Sequence, residues 1–334
     1  MARGPLRVLA RLAIVGVLLG ACAPGFAPPG PIVTTASIAT DALVTSDGLR
    51  LPLRIWQAEG TPAAVIVALH GFNDYSAAFE GPARWWADHG ITTYAYDQRG
   101  FGASPNRGRW PGPGVHAADA ATAVALVRAR HPGARVFLLG ESMGGAVVLT
   151  AMTGAAPPDA DGVILIAPAV RGRAALGMVS RAALAVVSST MPWLTLSGRG
   201  LGIKASDNDD MLRAFSRDPM VIKETRADTV RGLVDLMDAA LAAAARFDGM
   251  ALILYGEQDQ IIPKRPTALM LDRMPDRART RQRLAYYPDG WHMLLRDLQG
   301  EVVWNDIRAW VADPTAPLPS NADRGARQRM APPE

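Results

Sequence analysis

The sequence predicts an α/β fold: a mostly parallel, doubly wound sheet with a helical cap inserted late in the chain. Three observations carry this. Short, continuously apolar runs recur between segments of helical spacing, as expected of strands covered on both faces. The helical segments fall between those runs, which is the rhythm of strand–helix–strand crossovers. One interval, about residues 171–247, breaks the rhythm: it is helical and apolar in stretches and is too long for a bare loop.

The elements follow in order. Asp41–Ser46 and Leu49–Gln57 flank Asp47-Gly48 and read as an antiparallel hairpin at the sheet edge. Ala64–Leu69 is the first buried strand, Ile91–Tyr96 the second, Val136–Leu139 the third, Val163–Ile166 the fourth and Ala251–Tyr255 the fifth. Arg283–Tyr287 is a final strand, and Val115–Arg130 has helical spacing. In the inserted interval, Met178–Val187 and Met191-Pro192-Trp193-Leu194 are apolar, compatible with a cap or with simple packing on the core. No internal repeat is present. Residues 23–40 are rich in Pro, Ala and Gly and read as a flexible tether. Residues 313–334 carry five prolines among scattered charges and read as a disordered tail that adds nothing to the core. The folded body is then residues 41–312.

The N-terminal 21 residues are expected to be a targeting segment. Arg3, Arg7 and Arg11 precede a short apolar stretch, Leu12–Leu19, that is too short to span a bilayer. Leu19-Gly20-Ala21-Cys22 follows and resembles a bacterial lipoprotein signal, in which cleavage precedes a cysteine that receives lipid; an ordinary secretory signal is the alternative. Cys22 is the only cysteine of the 334-residue chain, so no intrachain disulfide and no cysteine-based zinc site can form. Loss of the three arginines lowers the formal charge from +4 to about +1, and no basic run with interleaved aromatics points to nucleic acid. The expected location is the bacterial cell envelope, anchored to a membrane and facing the periplasm or exterior.

Ligands of open α/β sheets bind beyond the carboxyl ends of the strands, so those positions carry the chemistry. Gly140-Glu141-Ser142-Met143-Gly144 lies between the third strand and a small, apolar, helix-compatible run. That is the context of a nucleophile elbow, whose glycines leave space around a strained serine. No Gly-Lys-Ser/Thr follows, which disfavours a phosphate loop. His70-Gly71-Phe72-Asn73 follows the first strand, Gly256-Glu257-Gln258-Asp259 the fifth, and Gly290-Trp291-His292-Met293 the last. Ser142, Asp259 and His292 therefore stand at strand ends in the order nucleophile, acid, base. Asp289 and Glu257 are alternative acids and His70 an alternative base, while Asp97-Gln98-Arg99 is expected to brace loops. Phosphate or metal chemistry would need more convergent Asp and His, and no cofactor is implied.

These stretches resemble an α/β-hydrolase of the monoacylglycerol lipase and lysophospholipase type, also grouped with the serine aminopeptidases. The matching residues are His70-Gly71-Phe72, Asp97–Gly102, Gly140–Gly145, Leu254-Tyr255-Gly256 with Asp259, and Gly290-Trp291-His292. Asn73 stands where that family has glycine. The resemblance implies a Ser142–His292–Asp259 triad, an oxyanion hole of the Phe72 and Met143 amides, and a carboxylic ester of a monoacyl lipid as substrate. An aminopeptidase or an acyltransferase would use the same fold. The former would need acids for a free amino terminus, and Asp207, Asp209 and Asp210 are the candidates. A non-catalytic envelope binding protein is a further alternative.

Overall fold

A computed structural model describes residues 25–331 apart from 174, 175, 199 and 201. The targeting segment and Cys22 lie outside the described residues. In chain order the strands are β1 (Ser37–Ile38), β2 (Ala42–Val44), β3 (Arg50–Trp56), β4 (Ala64–Leu69), β5 (Ile91–Tyr96), β6 (Arg135–Glu141), β7 (Gly162–Ile166), β8 (Thr195–Leu196), β9 (Thr225–Arg226), β10 (Ala251–Gly256) and β11 (Gln282–Tyr287). The helices are α1 (Glu80–Asp88), α2 (Val115–Arg130), α3 (Met143–Met152), α4 (Met178–Thr190), α5 (Asp209–Arg217), α6 (Ala227–Ala243), α7 (Lys264–Arg273), α8 (Gly300–Ala312) and α9 (Ala326–Met330).

Nine strands form one sheet in the order β1-β2-β3-β5-β4-β6-β7-β10-β11. Pairing is antiparallel from β1 through β5 by way of β2 and β3, and parallel from β5 to β11. The continuous apolarity of the central strands has a direct cause. Alternate residues face opposite layers, and both layers are dry. Val65, Val67, Val136 and Leu138 meet the α2, α3 and α6 side, with Val124, Val147 and Leu241. Ile66, Phe137 and Leu139 meet the α1 and α8 side, with Trp86, Ile307 and Trp310. The chain leaves β4 toward β5 and returns to β6 on the opposite flank, so β4 and β6 bound the crevice where the strand order reverses.

Three expectations need correction. The segment before β1 is not a free tether where it is described. The Ala27 N–H donates to Trp110 O at 2.9 Å, the Gly30 N–H to an Asp47 carboxylate oxygen, and the Val33 N–H to Ser46 O. These are backbone donors, which any sequence carries, so composition could not reveal them. The interval between β7 and β10 contains a strand pair, β8–β9, and its last helix has two faces: α6 packs Ala240, Leu241 and Ala243 into the main core, while Leu233 and Met237 line the cavity that holds Ser142. Conversely α4 buries only Ser188, so its apolar residues do not pack on the core.

The third correction concerns residues 313–331, which fold. Leu318 and Met330 are each 2% exposed. Asp306, fully buried on α8, accepts hydrogen bonds from Tyr287 Oη and from both the N–H and the hydroxyl of Ser320. The Tyr286 N–H donates to Ala322 O, so the tail lies against the outer edge of β11 and bonds it at this position. Isolated apolar residues among prolines have no period to betray this packing. Ending the chain at Ala312 removes two large buried side chains, Leu318 and Met330, worth about 1.5–3 kcal/mol each. Urea unfolding of that truncation is expected to show a loss of roughly 3–6 kcal/mol; an unchanged midpoint would mean that the tail contributes no stability.

Candidate active site

Ser142 sits between β6 and α3 with φ 53° and ψ −112°, a conformation that L-residues rarely adopt. The flanking glycines make it possible. A Cβ on Gly140 would lie 2.3 Å from the Gly144 carbonyl, and one on Gly144 would lie 2.1 Å from Leu69 O. Strand, helix and the neighbouring β4 thus close to backbone contact. The Ser142 N–H donates to Ile166 O on β7, and its carbonyl accepts from Ala146 and Ala169, which fixes the turn from three directions. Met143 is the first residue of α3, so its N–H belongs to the group without an intrahelical acceptor. Its side chain is buried against Phe101 and Trp110.

The loop after β4 runs alongside: a Cβ on Gly71 would touch the Ser142 Cβ at 3.5 Å. Asn73 occupies the left-handed region at φ 65°, where asparagine is better tolerated than other non-glycine residues. Asn73 ties this loop to the inserted interval. Its amide donates to Thr225 Oγ1 at 2.7 Å and its carbonyl accepts from the Ile222 N–H. His70 is fully buried. Its Nδ1–H donates to Gly71 O and its Nε2 accepts from the Gln98 N–H, while Gln98 donates back to His70 O. Both ring nitrogens are spent on loop backbone, and burial holds the imidazole pKa below its ordinary value. That arrangement leaves no free nitrogen for proton transfer. Asp97 accepts from Ser76 and Ala103, and Arg99 forks onto Asp47 and Asp119, each at 2.7 Å.

Asp259 and His292 meet on the loops after β10 and β11. His292 Nδ1–H donates to Asp259 Oδ2 at 2.8 Å, and Asp259 Oδ1 accepts from the Ile261 and Ile262 N–H groups, each at 2.8 Å. With Nδ1 so engaged, Nε2 is the ring's acceptor. Asp289 and Glu257 make no bond to this histidine; Asp289 lines a different surface depression, and Glu257 is exposed and bonded to Tyr286. Ser142 and His292 line one cavity of about 580 Å³, whose apolar wall includes Phe72, Ile203, Phe215, Val221 and Leu233.

The chain has α/β-hydrolase architecture, and its sequence matches the family model described as serine aminopeptidase, S33, over residues 60–299. The chain belongs to the serine aminopeptidase S33 family. Within it, the chain is 26% identical over 272 residues to a monoacylglycerol lipase of Mycolicibacterium smegmatis, covering 79% of this chain and 93% of that protein. It is 27% identical over 281 residues to human monoglyceride lipase, covering 82% and 90%. A solved soluble variant of the Saccharomyces cerevisiae monoglyceride lipase, in complex with a substrate analog, superposes with a TM-score of 0.69 at 19% identity, covering 86% of this chain and 99% of that one.

Two groups in this S33 site escape sequence reasoning. Arg296 lies in the cavity wall, ion-paired with Asp74 at 2.6 Å and with Glu141 at 3.5 Å, and stacked over Phe215 at 5.5 Å. Burial raises the Glu141 carboxyl, against the opposing pull of Arg296. Asp297 ties the histidine loop to the inserted interval. One oxygen accepts from Ser206 Oγ at 2.6 Å and the other from the Trp291 N–H at 2.7 Å. The Met293 N–H donates to Ala205 O and the Lys204 N–H to Gln260 Oε1, so residues 204–206 are stitched to both the loop bearing His292 and the loop bearing Asp259. The only sequence signal is an Asp five residues after His292. The three acids considered for amino-terminus binding lie elsewhere: Asp207 caps the Leu298 N–H, Asp209 pairs with Lys204, and Asp210 pairs with Arg213.

Burial pushes the Asp297 carboxyl up to about 6. A carboxyl raised in the folded state contributes stability at low pH that is lost as pH rises through its folded value. Relative to Asp297→Asn, the native chain should therefore lose on the order of 2 kcal/mol between pH 4.5 and 7 in urea titrations; a constant difference would contradict the buried-carboxyl account. The same variant leaves one accepting oxygen where two are needed. Its kcat should fall about tenfold or more through misplacement of the histidine loop, with KM little changed.

Proposed function

We propose that this carboxylic ester hydrolase cleaves monoacyl lipids, monoacylglycerols or lysophospholipids, through an acyl-enzyme on Ser142. The observation that carries the reading is the shared cavity: a serine on a strained turn and a carboxylate-oriented histidine at one end of an apolar space of about 580 Å³. A serine hydroxyl is a weak nucleophile until a base takes its proton. In the proposed sequence Ser142 Oγ attacks the ester carbonyl as His292 Nε2 accepts the hydroxyl proton. Asp259 holds the imidazole with Nδ1 protonated and stabilises the imidazolium that forms. The Phe72 and Met143 amides take the developing oxyanion, and removal of one such donor costs roughly 3 kcal/mol of transition-state stabilisation. Collapse of the tetrahedral intermediate expels the alcohol, which takes the proton from His292. Water then repeats the cycle on the acyl-enzyme and releases the fatty acid.

The substrate class is supported by the apolar wall and by relatives named for monoacylglycerol and monoglyceride hydrolysis. Residues 171–247 act as the cap in this reading, since Ile203, Phe215, Val221, Leu233 and Met237 supply part of the acyl-chain wall. Ser142→Ala is expected to abolish p-nitrophenyl ester turnover while circular dichroism and unfolding midpoint stay unchanged; surviving turnover would remove Ser142 from the mechanism. Turnover of monoacylglycerol, lysophospholipid and aminoacyl-anilide by the purified chain separates the lipase and aminopeptidase readings, and preferential anilide cleavage would overturn the former.

We also propose that Cys22 carries a lipid anchor in the bacterial cell envelope, on the strength of Leu19-Gly20-Ala21-Cys22. Several acyl chains at about 0.8 kcal/mol per buried methylene hold a protein firmly. A Cys22→Ser chain should leave the membrane fraction in a high-salt wash that retains the native chain; equal retention would refute the anchor.

A further inference from the structure

A second cavity, of about 190 Å³, lies beside the one that holds Ser142 and shares no lining residue with it. Helix α6 parts the two. Leu233 and Met237 face the Ser142 cavity, while Gly232, Leu236 and Ala239, at helical spacing, face this one. Trp110 and His116 form its buried end. Trp110 seats there because residue 232 is glycine: a Cβ at that position would lie 2.4 Å from the indole Cγ. The N-terminal strap supplies the outer wall. The Gly25 N–H donates to Asp228 Oδ2 at 2.8 Å and the Ala27 N–H to Trp110 O at 2.9 Å. Phe26 is thus pinned from both sides at the rim of the cavity, where its ring is 38% exposed.

His116 decides what fits. It is 3% exposed, and neither ring nitrogen has a hydrogen-bond partner in the protein. Its neighbours are rings: Trp110 meets it edge to face with centroids 4.9 Å apart, and Phe101 lies at 6.1 Å. Burial, aided by the charges of His70 and Arg99, holds the imidazole pKa down to about 3, so the ring is neutral at physiological pH. A neutral imidazole offers one N–H donor and one bare nitrogen acceptor. Other polar side chains of the wall are spent: the Thr150 hydroxyl donates to Val147 O within α3, and Asp235 holds Arg173. Buried polar groups are almost always paired, and an unpaired one beside open space marks where a small molecule completes it. The wall sets the rest of the chemistry. A charged ligand would lose its hydration to an apolar lining with no opposite charge free to meet it. An apolar cavity of about 150 Å³ accepts benzene, so this one accepts a single ring with a hydroxyl, or a short alkanol, and no long acyl chain.

We propose that this cavity is a second binding site, for a small neutral phenol or alcohol whose hydroxyl donates to the bare nitrogen of His116 and whose hydrocarbon body lies between Phe26, Trp110 and Leu236. The site is separate from the ester chemistry and does not rest on that reading. Phenol is the probe, and toluene, of the same shape without the hydroxyl, is its control. In the full chain labelled with nitrogen-15 at histidine, phenol is expected to shift the His116 ring nitrogens saturably in the low millimolar range. His116→Phe keeps an aromatic ring in place and removes both nitrogens. Its calorimetric preference for phenol over toluene should fall about tenfold. Its unfolding midpoint should not fall, because the imidazole has no protein hydrogen bond to lose. Ala117→Leu, on the α2 side of the wall, fills the space with a good helix former and should abolish binding of both probes with His116 intact. That variant carries the test if His116→Phe does not fold. Ser142→Ala, which removes the proposed ester chemistry, should bind phenol as the native chain does. Absence of a saturable shift at His116 would leave its nitrogens to water and overturn the proposal. So would a phenol affinity that neither wall variant changes, or one lost in Ser142→Ala, since phenol would then occupy the other cavity.

Discussion

The site depends on how closely β6, α3 and β4 approach at Ser142. Side chains at 140 or 144 would lie little more than 2 Å from backbone atoms, so those positions must be glycine for the turn to close. Closure does two things at once. It forces the serine to the left-handed side of the backbone map, and it brings the end of β6 against the loop after β4. The reversal of strand order at that pair opens the crevice above them. A strained residue persists only if its surroundings over-determine it. Here the determination comes from Ile166, Ala146 and Ala169 bonding the turn, and from His70, Gln98 and Asp97 freezing the loop opposite.

The second constraint is that His292 and Asp259 ride on separate loops, after β11 and β10, which meet beside the cavity that holds Ser142. Asp259 handles part of this by bonding its own loop with one oxygen and His292 with the other. Asp297 and residues 204–206 handle the rest from outside. The inserted interval is thus not a uniform cover. Its 204–208 stretch belongs mechanically to the loops bearing His292 and Asp259, α6 packs on the core and lines the cavity, Phe215 of α5 lines it too, and α4 buries only Ser188.

What could be read from the sequence follows this division. The central strands were legible because two dry faces demand unbroken apolar runs, and β4 and β5 fall on Ala64–Leu69 and Ile91–Tyr96 as read. The candidate site residues were legible because strand ends are where a doubly wound sheet exposes chemistry. Structure held by backbone donors was not legible, since every residue has one: the strap from Gly25 to Val33 and the tail pairing of Ala322 with Tyr286 are of this kind. Nor was Asp297, whose partner Ser206 is 91 residues away. The two-residue strands β8 and β9 are too short to carry a period.

Electrostatics of the cavity wall bears on the choice between a lipid ester and a peptide amino terminus. Besides His292, the ionisable side chains lining the cavity are Asp74, Glu141, Lys223 and Arg296, two of each sign. Arg296 already spans both carboxylates, and it and Lys223 both stack on Phe215. A free ammonium entering this site would meet a guanidinium, Arg296, that already occupies the acids it needs. Competing for them would leave a buried guanidinium unpaired, at a cost of several kcal/mol. A neutral glycerol makes no such demand. Its hydroxyls can donate to a carboxylate oxygen such as Glu141 Oε1, which is buried without a partner, while Arg296 keeps Asp74. The same balance suits a zwitterionic headgroup, whose two charges find opposite partners in one wall. The electrostatics of this wall therefore side with the lipid-ester reading proposed above, whose substrates carry no net positive charge.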